Sequence, residues 1–312
     1  MLLAINPRAG GGTALGRWRR VEPEVSRDRS LKVEIIDDPR RMPDLVARGI
    51  AAGHGTFLAG GGDGTVNALA SALVETLGTR RTLGAIGLGS SNDFHKPVRS
   101  CFGGVPCRMD AAHSRTSDVG RLVIRDPAGG QVVRYWLVNA SVGVTADANL
   151  RFNRASGVLA RLKQVSTGAA IGYAALATVL RDRGRELAAT VDGRAPYANG
   201  TGRSDSVRRF RNLAFVKNPN FSGCLRYDSP FEPLSGAFHF HAVTDVPLLR
   251  LLLILAGLAR GRFAGRAGTV SLEATAAVVS AREPFAVEFD GEVMEAVSIE
   301  VSVIPQGLEV CS

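Results

Sequence analysis

Four short stretches carry residue types whose spacing could do chemistry. The densest is Gly60-Gly61-Gly62-Asp63-Gly64-Thr65-Val66-Asn67, set between an apolar run and a segment of helical periodicity. Glycines there let backbone N–H groups approach an anion's oxygens without Cβ interference, and a following helix N-terminus adds positive potential. The stretch satisfies neither the Rossmann pattern, since Thr65 stands where the sixth-position glycine belongs, nor the P-loop, which needs Gly-Lys-Ser/Thr. A tight strand-to-helix turn with no ligand would use the same glycines. Asp63 weighs toward the anion site, because an acid there makes sense mainly when a cation bridges it to phosphates or when it handles a proton. A second loop, Gly87-Leu88-Gly89-Ser90-Ser91-Asn92-Asp93-Phe94, follows another apolar run, and Asn92 and Asp93 could equally organise it as an Asx turn. The opening Ile5-Asn6-Pro7-Arg8-Ala9-Gly10-Gly11-Gly12 is a third strand-to-glycine turn. Near the other end, Phe289-Asp290-Gly291-Glu292 puts two carboxylates on a turn, where Asp-Gly alone is simply a hairpin signal.

The elements that must hold these loops can be read from hydrophobic periodicity. Short β-branched runs at Leu2–Ile5, Leu31–Ile36, Thr56–Ala59 and Leu83–Leu88 alternate with helical patterns, which predicts βαβ units and a parallel sheet covered on both faces. Val66, Leu69, Ala70, Leu73 and Leu77 recur at helical spacing, so a helix is expected to start near Thr65. Ligands of open α/β sheets sit at the carboxyl ends of the strands, where the glycine loops fall. From about Asp118 the runs become longer and period-two: Gln131–Val144, Asn212–Val216, Ala237–Val243, Val270–Val279 and Phe285–Val293. A mostly antiparallel β domain is therefore expected. Helical patterns interrupt it at Ala155–Arg183 and Leu248–Arg262, and Gly200–Ser206 reads as a flexible surface loop.

The chain of 312 residues, 45% hydrophobic and 21% charged, is in the globular range and long enough for two packed domains. Its net charge of +9 is almost entirely arginine, the only lysines being Lys32, Lys96, Lys163 and Lys217. Such a balance suits anionic surfaces or phosphorylated substrates, and equally an arginine-rich codon usage. Nucleic-acid binding is not expected, because aromatic residues, 6% of the chain, do not form a stacking platform. Cys101, Cys107, Cys224 and Cys311 have neither CxxC spacing nor histidine partners at ligand intervals, so free thiols in a reducing cytoplasm are expected. No signal peptide is apparent, and the longest apolar run, Val246–Leu258, is broken by Pro247 and Arg250 and too short to span a bilayer.

Taken together, Asn-Pro-x-Ala-Gly at 6–10, Gly-Gly-Asp-Gly-Thr at 61–65, Gly-x-x-Asn-Asp-Phe at 89–94 and Asp-Gly-Glu at 290–292 resemble, in order and interval, the diacylglycerol kinase catalytic-domain family. Asp118-Val119-Gly120, Asn139-Ala140-Ser141-Val142-Gly143 and Lys217-Asn218-Pro219 extend the resemblance through most of the chain. NAD kinases share the Gly-Gly-Asp-Gly-Thr element, but Gly89–Phe94 is similar to the lipid-kinase form. The resemblance implies a Rossmann-like α/β domain over residues 1–117, completed by about 295–312, and a β-rich lipid-substrate domain over 118–294. It implies ATP and Mg2+ in an interdomain cleft, with Asn6, Gly61, Gly62, Gly64, Thr65, Gly89, Ser91, Asn92, Asp290 and Gly291 around the nucleotide. Glu292 is the favoured base and Asp63 the alternative base or metal partner, with Asp93 and Asp118 supporting the metal. Many bacterial members carry Asp-Asp-Gly where this chain has Leu234-Ser235-Gly236, which puts their accessory magnesium site in doubt here.

The expected reaction is γ-phosphate transfer to a lipid hydroxyl, diacylglycerol or a related glycerolipid first. A sphingoid-base kinase, an NAD kinase and a non-catalytic nucleotide- or lipid-binding protein are the alternatives. The expected setting is cytoplasmic and peripheral at the inner face of the membrane, which leaves room for a homodimer. The two apolar helical segments, each with flanking arginines, could contact lipid, but both are read as ordinary helices packed on the β domain, core burial being the commoner fate of an apolar stripe.

Overall fold

A computed structural model of the chain describes residues 1–27, 29–76, 81–154, 157–165, 167–196 and 207–312. Gly200–Ser206, expected as a flexible loop, and Leu77 lie outside the described residues. The chain forms two compact units, Met1–Val119 with Pro305–Ser312, and Gly120–Ile304.

The first unit is built on four parallel strands in the order Lys32–Ile35, Leu2–Ile5, Thr56–Gly61, Thr82–Gly87. Glu309 and Val310 add parallel to the last of these, and Val105–Arg108 pairs antiparallel with it. The two central strands are buried throughout apart from Thr56, as parallel strands covered on both faces must be. Trp18 and Val21 of the helix Ala14–Val25 pack with Leu3, Ile5, Leu58 and Ile86 into one apolar cluster. The helix Asp63–Glu75 buries Val66, Leu69, Ala70 and Leu73. It begins two residues before the expected Thr65, because Gly62 is extended and its carbonyl already accepts from Thr65 and Val66.

The second unit is an antiparallel sheet running Thr269–Ala274, Phe238–Thr244, Val207–Val216, Arg185–Val191, Ala276–Phe289 and the strand that starts at Glu292. Asn139–Gly143 pairs with both Val207–Val216 and Ala276–Phe289. Besides the Asp-Gly turn within Phe285–Val293, two of the long period-two runs are broken. Gln131–Val144 divides into Gln131–Trp136 and Asn139–Gly143, and Val270–Val279 divides at Thr275. In both places an acid from elsewhere captures the backbone: Asp290 takes the N–H groups of Leu137, Val138 and Asn139, and Asp192 takes those of Thr275 and Ala276.

Helices Val144–Asn153, Gly157–Val165, Thr167–Arg181 and Leu248–Leu258 belong to this unit. The last packs as expected on one face, where Leu251, Ile254 and Leu258 are buried, but it leaves Leu248, Leu249, Leu252 and Leu253 exposed on the other. All four cysteines are free thiols. Among the described residues no helix is long and apolar enough to cross a membrane.

Candidate functional site

In the first unit the parallel register brings the loops that begin at Asn6, Gly62 and Leu88 out together at the carboxyl ends of the strands. The backbone N–H of Asn6 donates to Gly60 O (2.9 Å), and its side-chain amide donates to Thr65 Oγ1 (3.1 Å). The first loop is thereby fastened to the start of the helix. Gly10, Gly11 and Gly12 all take positive φ, a run that side-chain-bearing residues rarely adopt. A Cβ on Gly10 would lie 2.7 Å from the carbonyl oxygen of Leu88.

The second and third loops touch backbone to backbone. Gly61 O accepts from the N–H groups of both Leu88 (2.9 Å) and Gly89 (3.0 Å), and a Cβ on Gly89 would fall 2.2 Å from Gly62 Cα. Glycine at 89 is therefore dictated by close approach rather than by turn geometry. Asn92 sits at φ 52° and closes its own loop: Oδ1 accepts from Gly89 N (3.0 Å), and Nδ2 donates to Gly87 O (3.2 Å) and Gly89 O (3.0 Å). Its side chain thus acts as the Asx-type organiser, while Ser91 beside it is half-exposed.

Asp63 opens the helix and reaches across loops, its Oδ1 accepting from Phe94 N at 2.8 Å. Asp93 is buried and ion-paired to Lys96 Nζ at 2.6 Å. Asp118 is also buried, and its Oδ1 accepts from Gln306 N at 2.9 Å. The three acids expected around a metal are thus each engaged by a different partner. Among the described residues no group of three or more His, Cys, Asp or Glu side chains is placed to hold a metal ion. The cradle does contain a cation that the sequence did not single out. Arg17 donates from a guanidinium nitrogen to Gly89 O at 2.6 Å, and burial followed by the neighbouring Arg20 lowers its pKa. Nothing in the basic run Arg17–Arg20 marks which arginine turns inward.

The second unit holds the acidic turn. Asp290 (φ 47°) and Gly291 (φ 92°) form the two-residue link between Ala276–Phe289 and the strand from Glu292, both in the left-handed region that a tight hairpin of this hand requires. The Asp290 carboxylate is buried, with Oδ1 accepting from Val138 N (2.9 Å) and Asn139 N (3.1 Å) and Oδ2 from Leu137 N (2.7 Å). These bonds tie the turn to the bend before Asn139. Glu292 is half-buried, and burial raises its pKa against the opposing pull of Arg134, with Asp290 adding to the rise. A carboxylate so placed is a better proton acceptor near neutrality than an exposed one.

A second residue that sequence reading missed is Glu288. It is fully inside the sheet, where Oε1 accepts from Gly291 N (2.8 Å) and Oε2 from Ser141 Oγ (2.8 Å) and Asn139 Nδ2 (3.3 Å). Burial pushes its pKa up to about 7, with Asp290 adding to the rise and the three donors opposing it. The signal was present: an acid inside the otherwise apolar run Phe285–Phe289, two residues before the turn.

At the departure noted at Leu234-Ser235-Gly236, the structure puts a side-chain cation. Lys217 is buried, and its Nζ donates to Ala237 O (2.8 Å) and Glu232 O (3.3 Å), carbonyls that the Ser235 hydroxyl also addresses.

Comparison with known proteins agrees with these features. Residues 1–121 match the family model described as the diacylglycerol kinase catalytic domain. A "Probable lipid kinase YegS-like" of Pseudomonas aeruginosa is 27% identical over 132 residues, 42% of this chain and 41% of that protein. One of the same description from Klebsiella pneumoniae is 44% identical over 73 residues, 23% and 22% of the two chains. The first of these matches thus spans about two fifths of the relative's length. A crystal structure of a diacylglycerol kinase from Bacillus anthracis str. Sterne has a TM-score of 0.63 at 14% identity, covering 99% of this chain and 95% of that one. A structure described as that of a "putative diacylglycerol kinase" from the same organism reaches 0.69 at 17%, covering 99% and 96%. The fold is therefore the two-part α/β and antiparallel β architecture of those structures, and residues 1–121 are similar to the diacylglycerol kinase catalytic domain.

Proposed function

We propose that the protein is an ATP-dependent lipid kinase, transferring the γ-phosphoryl group to the hydroxyl of diacylglycerol or a related glycerolipid. The observation that carries the reading is the glycine cradle of the first unit, where Gly61, Gly62 and Gly89 meet at backbone contact distance at the start of a thirteen-residue helix. Closely packed N–H groups at a helix N-terminus suit the oxygens of a triphosphate. In this assignment Gly61, Gly62, Gly64 and Thr65 bind phosphate, Asn6 holds Thr65 in place, and Gly89, Ser91 and Asn92 shape the nucleotide site.

Magnesium, when bound with the nucleotide, would neutralise developing phosphate charge and take most of its ligands from phosphate and water. Asp63 is assigned as the metal partner, because it stands in the first turn of the helix beside the glycines assigned to phosphate. Glu292 is assigned as the base that accepts the proton of the lipid hydroxyl, in line with its raised pKa. Asp290, Gly291 and Glu288 serve it by fixing the turn on which it stands.

The test is transfer of radiolabelled γ-phosphate from ATP and magnesium into micellar diacylglycerol, phosphatidylglycerol, a sphingoid base and ceramide, with NAD alongside, for the native chain and Asp63→Asn. Label entering a glycerolipid, and lost in the variant, is the expected result. Label entering NAD, or no transfer to any acceptor despite measurable ATP binding, would overturn the assignment.

A further inference from the structure

The helix Leu248–Leu258 of the second unit has two apolar faces and needs only one of them for folding. Leu251, Ile254 and Leu258 are buried in a cluster with Val179, Val216, Tyr227 and Phe263. The opposite face carries Leu248, Leu249, Leu252 and Leu253, with Leu249 70% and Leu253 57% exposed. A surface helix of a globular domain ordinarily turns charged and polar residues that way. A contiguous apolar patch of this kind marks an interaction surface.

The surroundings indicate the partner. From residue 246 to 272 the chain contains four arginines, Arg250, Arg260, Arg262 and Arg266, and no acid. Among the described residues none of the four is ion-paired. Arg260 and Arg266 donate to the carbonyls of Ala256 and Arg262, and so gather at the end of the helix. A second helix repeats the arrangement. Thr167–Arg181 buries Val179 in the same cluster and exposes Tyr173, Leu176 and Leu180, spaced i, i+3, i+7. Both exposed stripes therefore stand on helices that cover one cluster of this unit. Self-association through the patch would bring the arginines of two copies together with no acid in the segment to offset them. An anionic bilayer supplies both acyl chains for the leucines and phosphates for the guanidinium groups.

We propose that Leu248–Leu258 is a membrane-docking helix, lying in the interface of an anionic bilayer with Leu248, Leu249, Leu252 and Leu253 among the acyl chains and Arg250, Arg260, Arg262 and Arg266 on headgroup phosphates. The inference deepens the lipid-kinase reading and rests on it for its purpose, although the surface itself is argued from exposure and charge. The measurement is co-sedimentation of the full chain with vesicles of phosphatidylcholine alone and of phosphatidylcholine containing phosphatidylglycerol. The native chain is expected to bind the mixed vesicles more tightly. Leu249→Gln with Leu253→Gln should weaken binding on the order of tenfold or more, with an unchanged melting temperature because both positions are exposed. Arg260→Gln with Arg262→Gln should remove the preference for phosphatidylglycerol and flatten the salt dependence. Undiminished vesicle binding by the leucine pair would overturn the proposal. So would a native chain that is dimeric without lipid and becomes monomeric in the leucine variant. A chain that binds vesicles through this helix yet phosphorylates nothing in micelles would sink the kinase reading alone, and the reverse pair of results would sink this one alone.

Discussion

Glu288→Gln should change how stability depends on pH, and the structure gives both the sign and the size. Glu288 is buried, with its pKa raised from 4.5 to about 7 mainly by burial. An acid whose folded pKa lies above its unfolded one binds more protons in the native state between the two values, so stability falls as pH rises through that window. Below the unfolded pKa the residue costs nothing; above about 7 the cost is complete. A shift of that span corresponds to about 3 kcal/mol, with most of the loss between about pH 5 and about pH 8. The glutamine can keep its carbonyl on Gly291 N–H and offer its amide to Ser141 Oγ, which then accepts instead of donating. It gives up the longer contact from Asn139. Urea unfolding of both proteins at the two pH values isolates the effect, because other titrating groups, Glu292 included, contribute to both. The native chain should be close to the variant at about pH 5 and less stable by about 2–3 kcal/mol at about pH 8. Parallel pH profiles for the two would refute the reasoning, since they would mean that Glu288 ionises as freely in the fold as in water.

Asp290→Asn keeps a residue that tolerates the left-handed backbone at φ 47°, but it turns an amide toward one of the three donors of the Leu137–Asn139 bend. Leaving that buried N–H unpaired should cost about 1–3 kcal/mol in urea unfolding, and a loss below the error of the measurement would remove the tether from the account. Gly89→Ala places a methyl 2.2 Å from Gly62 Cα, so the two loops must part. Nucleotide affinity measured by calorimetry should fall at least on the order of tenfold, and unaltered affinity would show that the contact does not shape the phosphate site. Lys217→Met removes the ammonium from the carbonyls of Glu232 and Ala237 and should lower stability by about 2 kcal/mol, as for other hydrogen bonds made by charged groups. In the native chain the melting temperature should be the same with chelator as with magnesium, because the cation of this turn is covalently attached. A chelator-dependent melt would count against that view.

The parallel strands and glycine loops were legible because their causes are local. Alternating apolar runs and helical stripes set the βαβ order, and the glycines lie where the strands end. The misplaced boundaries have causes from far along the chain. Nothing near Leu137 announces that a carboxylate at residue 290 will take three consecutive N–H groups, nor anything near Thr275 that Asp192 will do the same there. The helix Val144–Asn153 escaped notice because it buries only Val144 and Ala146 and so has no apolar stripe. Within the site, Asn92 and Asp63 were visible as loop chemistry. Arg17 and Glu288 were not, nor was the role of Lys217, since an arginine, a lysine or a glutamate in sequence does not reveal whether it faces solvent or a carbonyl cluster.

The geometry also changes what Asp63 can be made to reveal. On sequence alone, an acid in an anion cradle called for a bridging cation or a proton-handling role. The structure adds a third reason, since Oδ1 accepts from Phe94 N and so holds the Gly89–Phe94 loop against the Gly61–Thr65 loop. Asparagine preserves an acceptor at Oδ1 while removing the charge, whereas alanine removes both. If Asp63 serves only as a tether, Asp63→Asn retains turnover and only Asp63→Ala loses it, together with nucleotide affinity. If the charge is used, by a metal or by a proton, Asp63→Asn loses turnover while folding and loop geometry persist. The asparagine variant therefore separates chemistry from architecture at this position, and a loss shared equally by both substitutions, with stability intact, assigns Asp63 to the chemistry.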